Sequence, residues 1–374
     1  MAKGGWIGNA DKARKLKKGW IGVDNKARKI KKGWLGVAGI ARLIFAGGEL
    51  EYYSTVTPYL TYYYGGNAAA TPSYILFRGR VTVSSSSRGF DVYNTSLVHS
   101  NLSSAAFDYF NSAKSNSYAW FSDYYAGHTA RRYADDLSYV EVSYAYNNAD
   151  VRDVAFVTTN GVNMVASLAF NASGDGSNLD VCYGYNSSLT RSSLTKRDFK
   201  ESAVAASNGV HAILASSYNS MSTTAMSAYN ASMVKVSCPA SSVHFNYGIA
   251  ARCGNYALFI RQYRVSSTTT IPAANVTAEA FNQSLVKVSA PVPSPTRVLS
   301  SISDFNDTAV LLGGRTDYKN ATLSNVINVY DSLLVLTSPA VLPAASDATH
   351  AAASNNNFLL FNNYNAKALY AYTM

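Results

Sequence analysis

The chain has 374 residues, enough to bury a sizeable core, yet only 14% of them are charged while 28 are Tyr. Its formal net charge of +10 is local: residues 1–44 hold 12 Lys and Arg against 2 Asp and Glu, and the rest holds 20 of each sign. No run of 18 apolar residues offers a helical membrane span, and the Lys-rich start reaches no apolar segment of the kind a secretory signal needs.

The first 44 residues repeat every 14. Gly5-Trp6-Ile7-Gly8, Gly19-Trp20-Ile21-Gly22 and Gly33-Trp34-Leu35-Gly36 are followed by Ala13-Arg14, Ala27-Arg28 and Ala41-Arg42. In the middle copy Asp24-Asn25 separates two alternating segments, a tight-hairpin signal because both residues tolerate positive φ. That register sets Trp20 across from Lys29 and Gly22 across from Ala27. Ala38-Gly39 and, less well, Ala10-Asp11 fill the same place in the other copies. One hairpin is not stable alone, so three are expected to stack, each burying its Trp. A stacking site for bases or sugars is the sharper alternative for those Trp residues. The basic surface suits edge protection and docking on an acidic protein better than nucleic acid. Three equivalent hairpins could also cap a threefold site on a larger assembly.

From residue 50 a longer period takes over. A short apolar strand recurs at Tyr74–Phe77, Tyr118–Phe121, Asn163–Ala166, His211–Leu214, Tyr256–Phe259, Thr308–Leu311 and Phe358–Phe361, with steps of 44, 45, 48, 45, 52 and 50. A second signature follows: Tyr93-Asn94-Thr95-Ser96-Leu97, Tyr185-Asn186-Ser187-Ser188-Leu189, Tyr229-Asn230-Ala231-Ser232-Met233, Phe281-Asn282-Gln283-Ser284-Leu285 and Tyr330-Asp331-Ser332-Leu333. In the second copy, spacing favours Tyr139 for this place over Tyr146-Asn147. A period in the forties with several short strands per unit predicts a β-propeller. Leu369–Tyr372 reads as a third strand with no fourth, and Ser54–Leu60 resembles the fourth strands of other copies. The N-terminal piece is therefore expected to complete the last blade and close the ring. The fold class is all-β: a seven-bladed β-propeller over residues 49–374, preceded by three tandem β-hairpin repeats over 1–48.

Asn255-Tyr256-Ala257-Leu258-Phe259, Leu312-Gly313-Gly314 and Tyr185–Arg191 resemble divergent kelch-type propeller repeats of phage structural proteins. The Trp-Ile-Gly-Val and Lys-Ala-Arg-Lys-Ile hairpins resemble the N-terminal repeats of minor tail or virion proteins of phages that infect Gram-positive bacteria. The Gly-Gly after the second strand survives only at Gly313-Gly314, and copies two and three are heavily altered. The resemblance implies a virion protein, made in the host bacterial cytoplasm without a signal peptide. Residues 1–48 would dock on other virion proteins of tail, baseplate or capsid, through Trp6, Trp20, Trp34, Arg14, Arg28 and Arg42. The propeller would meet a host-surface glycan or protein.

Loops between second and third strands are expected to crowd one face and carry recognition. Copy two offers Tyr124, Tyr125, His128, Arg131, Arg132, Tyr133, Asp135 and Asp136; copy five Arg261, Tyr263 and Arg264; copy six Arg315, Asp317 and Tyr318. Tyr supplies contact area and Arg directional hydrogen bonds. Catalytic signals are sparse. The five His and three Cys (Cys182, Cys238, Cys253) have no metal-ligand spacing, so neither metal nor cofactor is expected, and the thiols read as free and buried. Asp135-Asp136 is the one carboxylate pair, and adjacent strand positions would face opposite sides. The chain reads as a non-enzyme. A non-catalytic capsid or tail decoration protein is the alternative, followed by a glycan-active enzyme and an intracellular kelch scaffold.

Overall fold

The computed structural model describes residues 50–58, 68–80, 88–104, 109–114, 117–123, 129–143, 150–159, 161, 163–171, 178–188, 190–199, 203–216, 224–245, 248–262, 276–298, 300–317, 322–346, 352–363 and 366–374, and the backbone of the strands between Trp6 and Ala46. It forms two compact units, residues 1–51 with 373–374 and residues 52–372.

The first unit holds three antiparallel strand pairs: Trp6–Asn9 with Lys12–Lys15, Gly19–Val23 with Lys26–Ile30, and Lys32–Val37 with Ile40–Ala46. In the middle pair Trp20 lies opposite Lys29 and Gly22 opposite Ala27. That is the register a two-residue link at 24–25 dictates.

The second unit is a seven-bladed β-propeller built from antiparallel sheets. Blade 1 runs Ala68–Ala70, Tyr74–Arg80, Arg88–Asn94, His99–Ser104. Blade 2 runs Tyr109–Lys114, Ala119–Asp123, Thr129–Tyr133, Tyr139–Ser143. Blade 3 runs Asp150–Thr158, Met164–Asn171, Asn178–Tyr185, Arg191–Ser193. Blade 4 runs Ala203–Ser207, Ala212–Ser216, Met226–Tyr229, Lys235–Val236. Blade 5 runs Ile249–Cys253, Tyr256–Gln262, Val276–Phe281, Lys287–Ala290. Blade 6 runs Ser301–Phe305, Thr308–Leu312, Thr322–Tyr330, Leu336–Thr337; Val341–Ser346 and the short Arg315–Asp317 also pair its third strand. Blade 7 takes Ala352–Ser354, Leu359–Asn363 and Ala368–Thr373 from the C-terminus and its outer strand, Glu51–Val56, from the N-terminal side. Innermost strands of successive blades touch all the way round, Ala352–Ser354 meeting Ala68–Ala70. The ring is closed as the missing fourth strand requires, with the closing strand a few residues earlier than Ser54–Leu60.

Each second strand is the apolar segment of its repeat, and the sheet geometry explains the unbroken run. Successive side chains point to opposite faces of a blade, and both faces pack on neighbours. Ile75 and Phe77 lie in the seam with blade 7, beside Phe358 and Leu360, while Leu76 lies in the seam with blade 2, beside Phe121. Ala212 and Leu214 face blade 3, and Ile213 and Ala215 face blade 5. Truncating a Leu or Ile at such a site costs about 2–5 kcal/mol.

The Tyr-Asn signature is the turn between third and fourth strands. Asn94 Oδ1 accepts from the backbone N–H of Ser96 and Val98 at 2.9 and 3.0 Å. Asn186, Asn230, Asn282 and Asp331 repeat both bonds. Three residues beyond the Asn or Asp the backbone is left-handed, yet Leu97, Met233, Leu285 and Leu334 stand there instead of Gly (φ 58–62°). A positive φ costs a non-glycine residue about 1 kcal/mol. Leu97, Leu285 and Leu334 offset it by packing into the seams. The Tyr buries its ring in the blade. Tyr229 and Tyr330 donate their hydroxyls to Thr195 O and Pro291 O, both at 2.7 Å, in the connection leaving the preceding blade. Burial raises the phenol pKa of Tyr185, Tyr229, Tyr330 and Tyr372 and keeps all four protonated.

Blade 2 departs from the sequence expectation. Tyr133, not Tyr139, takes the signature place: it opposes Ala119 as Tyr93 opposes Ile75 and Tyr185 opposes Met164. Tyr139 faces it from the fourth strand. Only residues 124–128 separate the second and third strands here, so the Tyr arrives early. The turn keeps its backbone, with Leu137 in the left-handed position (φ 64°), but its side-chain acceptor has moved: Ala134 follows the Tyr, and Asp136 Oδ1 accepts from Ser138 N at 2.9 Å.

The turn chemistry generates a test. Asn230→Ala or Asn282→Ala removes the acceptor for two backbone N–H groups and should lower the unfolding free energy by about 1 kcal/mol in urea titrations. Asp331→Asn should be near neutral, because the amide oxygen can accept the same pair of bonds.

Candidate functional site

In an up-and-down blade the turns joining strands 1–2 and 3–4 sit at one end and the strand 2–3 connections at the other. The expected recognition residues divide between these two ends. Arg261 closes the second strand of blade 5, and Arg315 and Asp317 lie in the 2–3 connection of blade 6, at one end. Asp135 and Asp136 lie in the 3–4 turn of blade 2, at the opposite end. The strand between them, Thr129–Tyr133, is five residues, about 16 Å, long. Asp135 and Asp136 therefore lie at the end of the ring away from Arg261, Arg315 and Asp317. Tyr124, Tyr125, His128, Tyr263, Arg264 and Tyr318 lie outside the described residues. Trp6, Trp20, Trp34, Arg14, Arg28 and Arg42 lie on the paired strands of the first unit.

The carboxylate pair has a structural job. Asp135 reaches into blade 1, taking bonds from Ser73 N at 2.8 Å and Ser73 Oγ at 2.7 Å. Partial burial opposes its ionisation, but the hydrogen bonds from Thr71 and Ser73 prevail and hold its carboxyl below the ordinary value. Asp136 is held below its ordinary value by the Ser138 hydroxyl and backbone N–H. Other seams are stapled at the same end. Arg132 Nη1 donates to Ser187 O at 2.8 Å while its guanidinium lies 3.9 Å from the Tyr118 ring centroid. Asn163 donates to Ala231 O, and Asn208 to Asn282 O, at 2.8 and 2.7 Å.

A second polar repeat went unread in the sequence. The residue two before the signature Tyr and the residue six after it are diagonal cross-strand neighbours on one face, within reach of long side chains. In blade 1 these are buried Asp91 and His99, whose Nε2 lies 2.8 Å from Asp91 Oδ1. In blade 2, Arg131, 4% exposed, lies 4.7 Å from the Tyr139 ring centroid and pairs with Glu141 at 2.9 Å. In blade 3, Arg191 lies 4.9 Å from the Tyr183 ring. In blade 4, Ser227 and Lys235 meet through Asp198, and in blade 5, Glu279 and Lys287 meet through Ser242. The chemistry changes from blade to blade while the geometry stays, which is why no letter pattern announces it. Arg131 and Tyr133 thus belong to the frame of blade 2.

Around the axis, the innermost strands line a cavity of about 190 Å³ with small side chains such as Ala69, Ala206, Ala251 and Ala353. Arg252 and Asp304, on adjacent blades, are the charged residues of its wall. Methyl groups and scattered hydroxyls supply no convergent set of reacting groups. Among the described residues, no group of three His, Cys, Asp or Glu could hold a metal ion. Burial pushes the Cys238 thiol up to about 12, an unreactive state.

No protein-family model and no curated protein matches this chain. Among solved structures it is similar to selenomethionine-substituted virginiamycin B lyase from Staphylococcus aureus, at 9% identity over 87% of this chain and 100% of that one, with a TM-score of 0.53. A streptogramin B lyase structure aligns at 8% identity over 87% and 97% of the two chains, with a TM-score of 0.55. A chain of the mitotic checkpoint complex aligns at 10% identity over 87% and 91%, with a TM-score of 0.54. At these identities the likeness is one of fold.

Asp135 makes the seam between blades 1 and 2 pH-sensitive. Its folded pKa lies below the unfolded one, so its stabilisation is complete above the unfolded value, about 4, and fades as pH falls through the folded value. Asp135→Asn should lower stability at pH 7 and flatten the acid limb of a urea-midpoint profile taken between pH 2 and 6.

Proposed function

We propose that this chain is a structural protein of a phage particle, its basic N-terminal unit docking on other virion proteins and its propeller meeting the host surface, with a glycan as the expected ligand. The observation that carries this reading is the segregation of charge. The whole +10 excess resides in residues 1–44, within a compact unit of its own, while the propeller is neutral. A short basic repeat ahead of a large neutral one suits attachment to an acidic protein surface by one part and presentation by the other. Arg261, Arg315 and Asp317 lie at the end of the ring where the strand 2–3 connections are. Many copies on a particle would let a shallow Tyr- and Arg-bearing surface suffice through avidity.

A decoration role is the second reading. It is favoured by the many propeller charges engaged within or between blades, as Asp135, Arg131, Lys235 and Glu279 are. A glycan-active enzyme is disfavoured by the turn roles of Asp135 and Asp136. The fold itself is shared by lyases and a checkpoint assembly and does not choose among activities.

Immunogold labelling of purified particles, with antibody against residues 50–374, tests the proposal. Label at the tail tip or baseplate is expected, and the triple variant Arg14→Glu, Arg28→Glu, Arg42→Glu should lose it. Label over the head or along the tail would replace host attachment by decoration. Particles without label would overturn the virion reading.

A further inference from the structure

Arg297 is out of place by the rules that govern buried charge. It sits in the connection between blades 5 and 6 and is 1% exposed, one of the largest fully buried side chains. Its Nη2 donates to Leu311 O at 3.3 Å, while Nε and Nη1 meet no acceptor among the described residues. Arg197, in the connection between blades 3 and 4, is also buried, but it donates to Ser167 Oγ at 2.8 Å and stacks 4.8 Å from the Phe199 ring centroid. Among the described residues no carboxylate pairs with Arg297.

Further unpartnered donors gather in the same seam. Buried Gln262 accepts from Ser300 N through Oε1, but its Nε2 has no acceptor among the described residues. Ser300 connects the two side chains: a Cβ on Gly314 would touch both Ser300 Oγ, at 2.5 Å, and Arg297 Cδ, at 3.2 Å. Asn328, across the sheet from Leu311, uses its amide nitrogen on Ser294 O and Ser338 Oγ, and its Oδ1 has no donor among the described residues, one unmatched acceptor against the three unmatched donors of Arg297 and Gln262. The Tyr330 phenol, which acts on the guanidinium electrostatically, is kept protonated and neutral by burial. Burial lowers the guanidinium pKa only to about 10, so it stays charged at neutral pH. An isolated buried cation is among the most costly arrangements a protein can hold.

We propose that the seam between blades 5 and 6 binds a small inorganic anion of the halide class, held by Arg297 at Nε or Nη1, with the Gln262 amide a further donor group in the same seam. The excess of donors and the formal positive charge select an anion, and the closeness of the packing selects a small one. The ion neutralises the guanidinium and ties the connection, through Arg297, to the second strand of blade 6.

Two measurements on the full chain test it. Thermal unfolding is followed as chloride replaces gluconate at constant ionic strength, gluconate being too large for a buried seam. The midpoint should rise by about 2 °C per tenfold increase in chloride above its dissociation constant. Arg297→Met, which removes the cation and keeps the volume, should abolish the chloride response while folding at least as stably. In crystals grown in bromide, anomalous scattering should place a bromide within about 3.5 Å of Arg297 Nε or Nη1. A midpoint indifferent to chloride, an equal chloride response in Arg297→Met, or no bromide peak beside Arg297 would each overturn the proposal. Should Arg297→Met not fold, the wild-type titration and the bromide position still decide it.

Discussion

Closure of the ring is the constraint on which the rest depends. A blade of this propeller is apolar on both faces, as Ile75 and Leu76 or Ala212 and Ile213 illustrate, and no blade can satisfy both faces alone. Six blades are continuous in sequence. The seventh borrows its outer strand, Glu51–Val56, from the opposite side of the propeller's sequence. Tyr52 from that strand packs edge-on against Tyr370 and Tyr372, with centroids 6.5 and 5.9 Å apart. Val56 joins Phe77 and Leu360 in the seam between blades 7 and 1. The last strand to be supplied therefore completes the one seam whose two sides lie farthest apart along the chain.

Between blades, three devices recur: the buried Tyr, the Asn or Asp that organises the following turn, and the left-handed Leu or Met that packs back into the seam. Each can be exchanged if its physical role is kept. Asp331 replaces Asn because a carboxylate oxygen accepts the same two bonds. Phe281 replaces Tyr where the hydroxyl bond is dispensable. The glycine pair of blade 6 survives for a different reason: Gly313 and Gly314 have φ of 60° and 109°, and a Cβ on either would come within 2.8 Å of a carbonyl oxygen. Any other residue would be both strained and too close.

This explains what was legible in the sequence. The seven apolar strands, the recurrence of the Tyr-Asn signature and the borrowed closing strand could be read because a two-sided core and a left-handed turn leave few residue choices; that the signature is a turn could not. The second blade misled, because equal spacing pointed to Tyr139 when a short connection had moved the signature to Tyr133. Asp135 and Asp136 suggested chemistry because a sequence does not tell which end of a strand a turn occupies; the fold places them away from the 2–3 connections and in the grip of Ser73 and Ser138. The cross-strand polar pairs were invisible because Asp91–His99, Tyr183–Arg191 and Glu279–Lys287 share geometry and no letters. Arg297 was passed over for a related reason: its burial is set by packing against a neighbouring blade, not by local pattern.

If closure is what holds the seams together, weakening the borrowed strand must be felt on the far side of the ring. Amide hydrogen exchange of the full chain, compared with Tyr53→Pro and Ser54→Pro, tests this most directly. Adjacent strand residues direct their N–H groups to opposite sides, so one of the two prolines removes a ladder bond. In that variant the account predicts that Ala212–Ser216 of blade 4 loses protection by the same factor as Leu359–Asn363 of blade 7. Loss confined to blade 7, with blade 4 as protected as before, would mean that the blades stack independently and that closure does not carry the fold.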